Sequence, residues 1–254
     1  MSQPVPSARD RARAAMIEDV IAVARRQLGR VGAAGLSVRS VTRELGISAS
    51  AVYRYFSSRD HLLTALIVDA YERLGAFVIA ADEAVPVEDV TRRWVTVWLA
   101  ARDWGVAHPH EYALLYGTPV LGYAAPQDTV LPATRVVARL GAIVADAHRL
   151  GLRTDPPEAV DPPGAGLRED ADRIRASLPR LGLDPAEVSA EDAIDVVRAW
   201  SELFGAISFE LFGHFVGSID HPAENLEALA RARAAVLGLP GLPGAAASAG
   251  TVTV

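Results

Sequence analysis

The sequence contains no cysteine, so disulfides, thiolate metal ligands and thiol nucleophiles are excluded together. Lysine is absent too: all 25 basic residues are arginine, a bias that the codon usage of a GC-rich genome explains without appeal to function. No stretch reaches the roughly 18 uninterrupted apolar residues of a membrane-spanning helix. The apolar positions near the start are broken by Glu18 and Asp19, so there is no signal-type run, and the chain is expected to be cytoplasmic with no membrane partner. Catalytic signatures are missing as well: there is no G-x-S-x-G, no phosphate-binding loop, no G-x-G-x-x-G and no carboxylate pair in an obvious frame. The expectation is a protein that is not an enzyme. His108 and His110 flank Pro109, but Glu111 is the sole further ligand type nearby and a metal site needs more donors, so neither metal nor cofactor is expected.

What the chain does have is size, apolar content and an uneven charge. Its 254 residues, 50% of them hydrophobic, can fill one large core or two smaller ones. The net charge is -6, yet residues 1–60 carry ten arginines against five acids while the remainder carries fifteen against twenty-six. An acidic chain with a basic first quarter reads as two jobs on one polypeptide, the basic part facing a polyanion.

The apolar periodicity is helical. Ile17, Val20, Ile21, Ala24, Leu28 and Val31 fall on one face, with Arg25, Arg26 and Arg30 turned away, and this first helix is expected to end between Gly32 and Gly35. Ser37 can cap a second helix with Val38, Val41 and Leu45 inward and Gly46 as its left-handed stop. Ser48 caps a third, short helix whose apolar side is Val52, Tyr55 and Phe56. "SSRD" then restarts the chain into a longer helix carrying Leu62, Leu63, Leu66, Ile67, Ala70, Leu74, Phe77 and Val78. Further helices are expected over 87–107, 110–117, 133–151, 189–217 and 222–237. The proline- and glycine-rich stretch 153–168 reads as a loop and 239–254 as a disordered tail. The expected class is all-α: an N-terminal three-helix helix-turn-helix domain with a flexible arm over 1–62, and a larger helical domain over 63–238.

Helix, glycine turn and a short helix polar on one side form the arrangement that lays a recognition helix in the major groove of DNA. Ser37 and Ser48 stand at two helix N-termini, where free amides and the positive dipole end favour a phosphate. Tyr53 offers a phenol to the backbone and Arg59 starts the next helix within its reach, contacts that fix position without reading sequence. Base reading falls to Ala49 and Ser50, to Arg54 or Tyr55, and to Arg39 in the first turn of the supporting helix. A guanidinium grips guanine at two atoms, and alanine meets a thymine methyl. Taken singly, two tyrosines can complete a small core and arginines can be solvated charges; their concentration on one short element favours duplex DNA as the partner.

These residues carry a family resemblance. The stretch "ARRQLGRVGAAGLSVRSVTRELGISASAVYRYFSSRDHLLTALI" resembles the DNA-binding domain of the tetracycline-repressor (TetR) family. That pattern runs apolar helix, glycine, a hydroxyl residue starting helix 2, an "LGIS" turn, an aliphatic-Tyr-x-x-Phe helix 3 and a "K-[DE]-x-L" start to helix 4. Gly35, Ser37, Val41, Leu45, Gly46, Ser48, Val52, Tyr53, Phe56, Asp60 and Leu63 match it. The resemblance implies that Tyr53 contacts phosphate and that Arg59 replaces the usual lysine with altered geometry. It also implies that Ala49, lacking a side chain many members use on bases, leaves more of the reading to Arg39, Ser50 and Tyr55. Residues 80–238 resemble the family's regulatory domains, "ARDWGVAHPHEYALLYGTP" and "RAWSELFGAISFELFGHFVG" being similar to the subgroup with a WHG-type C-terminal domain. This implies a ligand-responsive regulator, in most members a repressor, that binds a palindromic operator as a dimer and leaves it when a small effector enters the second domain.

Aromatic residues gather in that second part, Trp94, Trp98, Trp104, Tyr112, Tyr116, Trp200 and Phe204 among them. Such stripes mostly fill cores. By position along the chain Trp98, Tyr116, His148 and Phe204 are the candidates to line a pocket for a small hydrophobic effector. Segment 189–217 is apolar around most of its circumference through Val197, Trp200, Leu203, Phe204, Ile207, Leu211, Phe212 and Phe215, so it must be buried on two sides. One side can be its own domain. The other is expected to be the same helix of a second subunit, crossing at Gly205, Ala206 and Ser208, with 222–237 beside it in a two-fold homodimer. The competing reading is a helical small-molecule enzyme or carrier whose N-terminal helices serve only to dock.

Overall fold

The computed structural model describes residues 7–154 and 164–242. The arm ahead of residue 7, most of the expected loop (155–163) and the expected tail from 243 onward lie outside the described residues. Among the described residues the chain is all-α, with no strand. The first four helices are α1 (Ala8–Gly35), α2 (Val38–Leu45), α3 (Ala49–Tyr53) and α4 (Arg59–Glu83). They are followed by α5 (Val90–Ala107), α6 (Pro109–Tyr116), α7 (Val130–Ala133) and α8 (Arg135–Arg149). The last three are α9 (Ala165–Ser177), α10 (Ala190–Leu211) and α11 (Pro222–Val236).

The described residues up to Arg73 pack with His108–Ala133 as one unit. Leu74–Ala107 and the described residues from Thr134 onward form a second. This differs from the expected division after residue 62, and the reason is apolar: Leu114, Leu115, Val120 and Tyr123 pack on the core that α1 to α4 build. In that core sit Val20, Val23 and Ala24 of α1, Val38 and Val41 of α2, Val52 and Phe56 at α3, and Leu62, Leu63 and Leu66 of α4. Val31, expected inward, is 54% exposed. The backbone leaves helical geometry at Gly32 (φ 66°, ψ 175°), so the inward stripe of α1 stops at Leu28. Gly46 adopts φ 68° and ψ 23° at the end of α2, a conformation that costs any residue with a Cβ about 1 kcal/mol or more.

In the second unit α5 packs on α8 and α11, and α10 packs on α8, α9 and α11. Trp94, Trp98, Leu140, Ile143, Leu203 and Ile207 are buried. Helix α9 has no counterpart in the expected elements: it is rich in charge, and Ala171 is its one buried residue. It is held from outside, by Ile174 against the small cluster of Ala145, Leu178, Val188 and Ala193, and by Arg175 donating to the carbonyls of Pro185 and Val188 (3.0 Å each). Helix α10 opens on a capping box of Ser189 and Asp192 and ends at Leu211, six residues short of the expected stop, where Gly213 turns to φ 79°. Phe77 of α4, expected inward, is 47% exposed while its neighbour Val78 is buried.

A buried ion cluster ties three helices of this unit. The Asp82 carboxylate, without solvent exposure, accepts from Arg93 Nε (2.9 Å) and Nη2 (3.1 Å) and from Arg139 Nε. Arg93 also donates through Nη1 to Asp146 (2.7 Å) and to the Val87 carbonyl (3.2 Å). Burial alone lowers the Arg93 pKa, but the hydrogen bonds and charges of Asp82 and Asp146 outweigh it and hold the guanidinium above its ordinary value. Removing one member strands the others in a dry interior. Asp82→Ala is therefore expected to cost about 3–5 kcal/mol of stability in urea denaturation; a loss under about 1 kcal/mol would show that the cluster is solvated.

Candidate nucleic-acid interface

The orientation of α2 is set by a polar clasp on α1. Gln27, buried, donates to Glu44 (3.0 Å), and its carbonyl oxygen accepts from Ser40 Oγ (2.5 Å). Glu44 accepts also from Arg26 (3.2 Å) and Arg30 (2.6 Å). The Gln27 hydrogen bond first, then the two guanidiniums, hold the Glu44 carboxyl below its ordinary range although partial burial pushes the other way. Ser40 and Glu44, four residues apart, thus share the flank of α2 that faces α1. Arg39 and Arg43, also four apart but one residue out of phase, fall on a different flank, and both are exposed. Ser37 heads α2 with no side-chain cap bond, and an open groove bounded by Arg30, Ser37, Ser40 and Arg43 runs along the start of the helix.

Helix α3 divides its side chains cleanly. Val52 and Phe56 are buried in the core, while Tyr53 is 44% exposed, on the outer side with Ser50 and Arg54. Ser48 caps the helix, its Oγ accepting from the Ala51 amide (3.3 Å) and lying 3.0 Å from Ser50 Oγ. Ala49 is half-buried. Tyr55 packs half-buried against the core with the Arg13 guanidinium over its ring, 5.9 Å from the centroid. The two tyrosines are therefore unequal: the ring of Tyr55 is built into the fold and that of Tyr53 is presented to solvent.

Arg59 takes a different task from the expected one. Its Nε donates to the Leu36 carbonyl (3.1 Å) and its Nη2 to those of Ala33 (2.8 Å) and Ala34 (3.3 Å). The guanidinium thereby covers carbonyls at the end of α1 and at its C-cap Leu36, adding to the Leu36 amide that reaches Ala33 (3.4 Å). Its Nε and Nη2 donors are spent inside the protein and Nη1 lies 3.8 Å from the Asp60 carboxylate, which is the physical reason to propose it for the scaffold in place of the phosphate-contacting set. The other early arginines sort the same way. Arg25 pairs with Asp69 (2.6 Å) and approaches Glu111 (3.7 Å), and Arg26 and Arg30 share Glu44. Arg9, Arg39, Arg43 and Arg54 have no ion-pair partner among the described residues. Arg43 was not among the expected contacts; its spacing of four from Arg39 on a polar flank was the available signal.

The expected pocket residues are divided between the two units. Trp98, His148 and Phe204 belong to the second unit and Tyr116 to the first. Tyr116 lies tilted against Tyr112 (ring centroids 5.0 Å, 41°) and meets Tyr71 edge-on (6.1 Å); burial, with those two phenols, pushes its hydroxyl above the ordinary tyrosine range. His148 is exposed in the last turn of α8. Trp98 is buried at 6.3 Å from Trp94, and the two indoles differ: Trp94 Nε1 donates to the Ala230 carbonyl (3.0 Å), whereas Trp98 Nε1 has no acceptor among the described residues. Phe204 is buried beside Trp200 at 6.2 Å. His108 is engaged by the Arg73 guanidinium (3.2 Å).

Comparisons with known proteins bear on the chain as a whole. Residues 20–66 match the family of bacterial regulatory proteins called tetR, and residues 94–233 match the tetracyclin repressor-like C-terminal domain. The chain is 38% identical over 221 residues, 86% of its own length and 90% of theirs, to HTH-type transcriptional regulators of Mycobacterium bovis and Mycobacterium tuberculosis. Among solved structures it is similar to the regulatory protein SCO4313, with a TM-score of 0.65 at 29% identity over 90% of this chain and 98% of that one. The TetR family transcriptional regulator PfmR from Thermus thermophilus shares the fold, with a TM-score of 0.51 at 16% identity over 87% and 99% of the two chains. No described helix is long and apolar enough to cross a membrane. An outward tyrosine on a serine-capped recognition helix, arginines left open around it, and these likenesses at both ends of the sequence make the chain a DNA-binding transcriptional regulator of the TetR family.

Proposed function

We propose that the chain is a ligand-responsive repressor that binds a palindromic operator as a homodimer and is released by a small hydrophobic effector. The observation that carries this reading is the exposure of Tyr53, at 44%, while Val52 and Phe56 on the same short helix are buried. Tyr53, Ser37 and Ser48 hold the phosphate backbone; Arg39, Ser50, Arg54 and the small Ala49 meet base edges, with the phenol of Tyr55 at their margin. Arg43 joins the set and Arg59 leaves it. Half-sites then lie about one helical turn apart or a multiple of it.

The second unit supplies support for the other two functions. On α10 the residues Val197, Trp200 and Leu211 are only half-buried, Gly205 and Phe209 (52%) are exposed, and past the helix Phe212 (43%) and Val216 (87%) are exposed as well. Large apolar groups exposed in series mark an interface, and a second copy of α10 and α11 is the partner that fits a two-fold regulator. For the effector, Trp98 offers an indole donor that the described fold does not use. An effector that prefers one dimer form shifts the population by its differential affinity, typically about 1–3 kcal/mol.

Three outcomes are expected. In gel-shift titrations at several salt concentrations, Tyr53→Phe weakens selected and random duplexes alike. Arg39→Ala instead costs about 1–3 kcal/mol at its own base pair and loosens preference there; equal losses on both duplexes for both variants contradict the division of roles. Sedimentation of Phe209→Asp yields monomer with lost operator binding, and a variant that stays dimeric moves the interface elsewhere. Trp94→Phe and Trp98→Phe remove the same volume from fully buried sites, yet the first also gives up the hydrogen bond that Trp94 Nε1 donates to the Ala230 carbonyl. Trp98→Phe is therefore the milder by about 1 kcal/mol in urea melts, and equal costs would mean that the Trp98 donor is already employed by the fold.

A further inference from the structure

α1 starts well before its first buried residue. Every residue from Ser7 through Ala15 is exposed, and Val20 is the first to be buried. Two helical turns that bury nothing gain no packing energy, and helices of that length are marginal on local bonds alone. These are started by a capping box in which Ser7 Oγ accepts from the Asp10 amide (3.2 Å) and the Asp10 carboxylate accepts from the Ser7 amide (3.3 Å). The charges on the extension are Arg9, Arg11 and Arg13 against Asp10, which is occupied by the cap.

Arg9 and Arg13, four residues apart, lie on one face. Arg13 rests over Tyr55, which directly follows Arg54 and is two residues beyond the end of α3. That face of the extension is therefore tied to the end of the recognition element, with Arg9 about 6 Å further along the same line. A cation on an aromatic face is positioned in advance while its N–H groups stay available. Neither guanidinium has a carboxylate partner among the described residues.

We propose that these first turns of α1 form a second DNA contact, in which Arg9 and Arg13 clasp the phosphodiester backbone beside the bases met by α2 and α3. This rests on the DNA-binding reading above and extends its footprint. A guanidinium presents parallel donors that match a phosphate, and such a contact adds affinity without sequence preference.

The test uses the full chain, a duplex selected by it from a random-sequence pool, and an unselected duplex of equal length, titrated from about 50 to 200 mM salt. Losing two phosphate contacts in R9Q/R13Q flattens the slope of log affinity against log salt by about 1.8 and weakens both duplexes in the same proportion, roughly 10- to 100-fold near 0.1 M salt. R9K/R13K recovers the slope, because charge is what releases counterions, and its thermal midpoint stays at the wild-type value, because lysine keeps a cation over the Tyr55 ring. A glutamine double variant with wild-type slope and affinity overturns the clasp and leaves the α2–α3 reading standing. A loss confined to the selected duplex also overturns it, since the arginines would then be reading bases. A wild-type chain that selects no sequence and binds without salt dependence overturns the DNA-binding reading, and the clasp with it.

Discussion

Glu44 and the arginines it gathers decide what the rest of the first unit can present. By drawing Arg26, Arg30 and Gln27 of α1 onto one flank of α2, it both fixes the pitch of that helix and neutralises the charge there. Arg59 does the equivalent at the end of α1, where it closes three backbone carbonyls. What remains open is the set of arginines without a carboxylate partner among the described residues, Arg9 and Arg13 at the start of α1, Arg39 and Arg43 on the outer flank of α2 and Arg54 just after α3. Long-range attraction to a polyanion comes from the whole basic quarter, but directional contact is available only from guanidiniums whose donors are not already used.

The second unit uses the same residue type for the opposite purpose. Arg93 and Arg139 converge on the buried Asp82, Arg102 grips Glu210 through two bonds (2.8 and 2.5 Å), and Arg153 joins Asp192 to the Leu237 carbonyl. Each is a staple between helices. In a chain without lysine or cysteine, arginine serves as the crosslink of the interior as well as the charge of the surface, and burial together with a carboxylate partner separates the two uses. Glu44 also makes the α1–α2 clasp sensitive to acid. Its folded pKa is lowered, so its contribution is present at neutral pH, above the unfolded value, and is lost as pH falls through the folded one.

Much of the fold was legible from local rules. The apolar spacing on α1 through Leu28, the glycine stop at Gly46, the serine cap at Ser48 and the inward Val52 and Phe56 are decided within a few residues, and the all-α class followed from them. What was illegible is tertiary. Nothing local says that Arg59 will find the Ala33, Ala34 and Leu36 carbonyls some 23 to 26 residues away, or that α6 will close on α1. Helix α9 was missed because its support comes from Arg175 and Ile174 reaching other segments, not from an apolar face of its own. For the effector pocket, chain position says little about surroundings: Trp98 and Phe204 are buried in the second unit, Tyr116 lies beside Tyr71 and Tyr112 in the first, and His148 is exposed.

The central claim is that committed and open arginines divide the labour of the first unit, and it is tested most directly by arginine-selective modification with phenylglyoxal, mapped by mass spectrometry with and without a selected duplex. Arg39 and Arg54 should be modified in the free chain and shielded by DNA. Arg26 and Arg30, with side chains 61% and 63% exposed but turned to Glu44, should change little, and Arg59 should react slowly in both states. Shielding that fell on Arg26, Arg30 and Arg59 while sparing Arg39 and Arg54 would contradict the account.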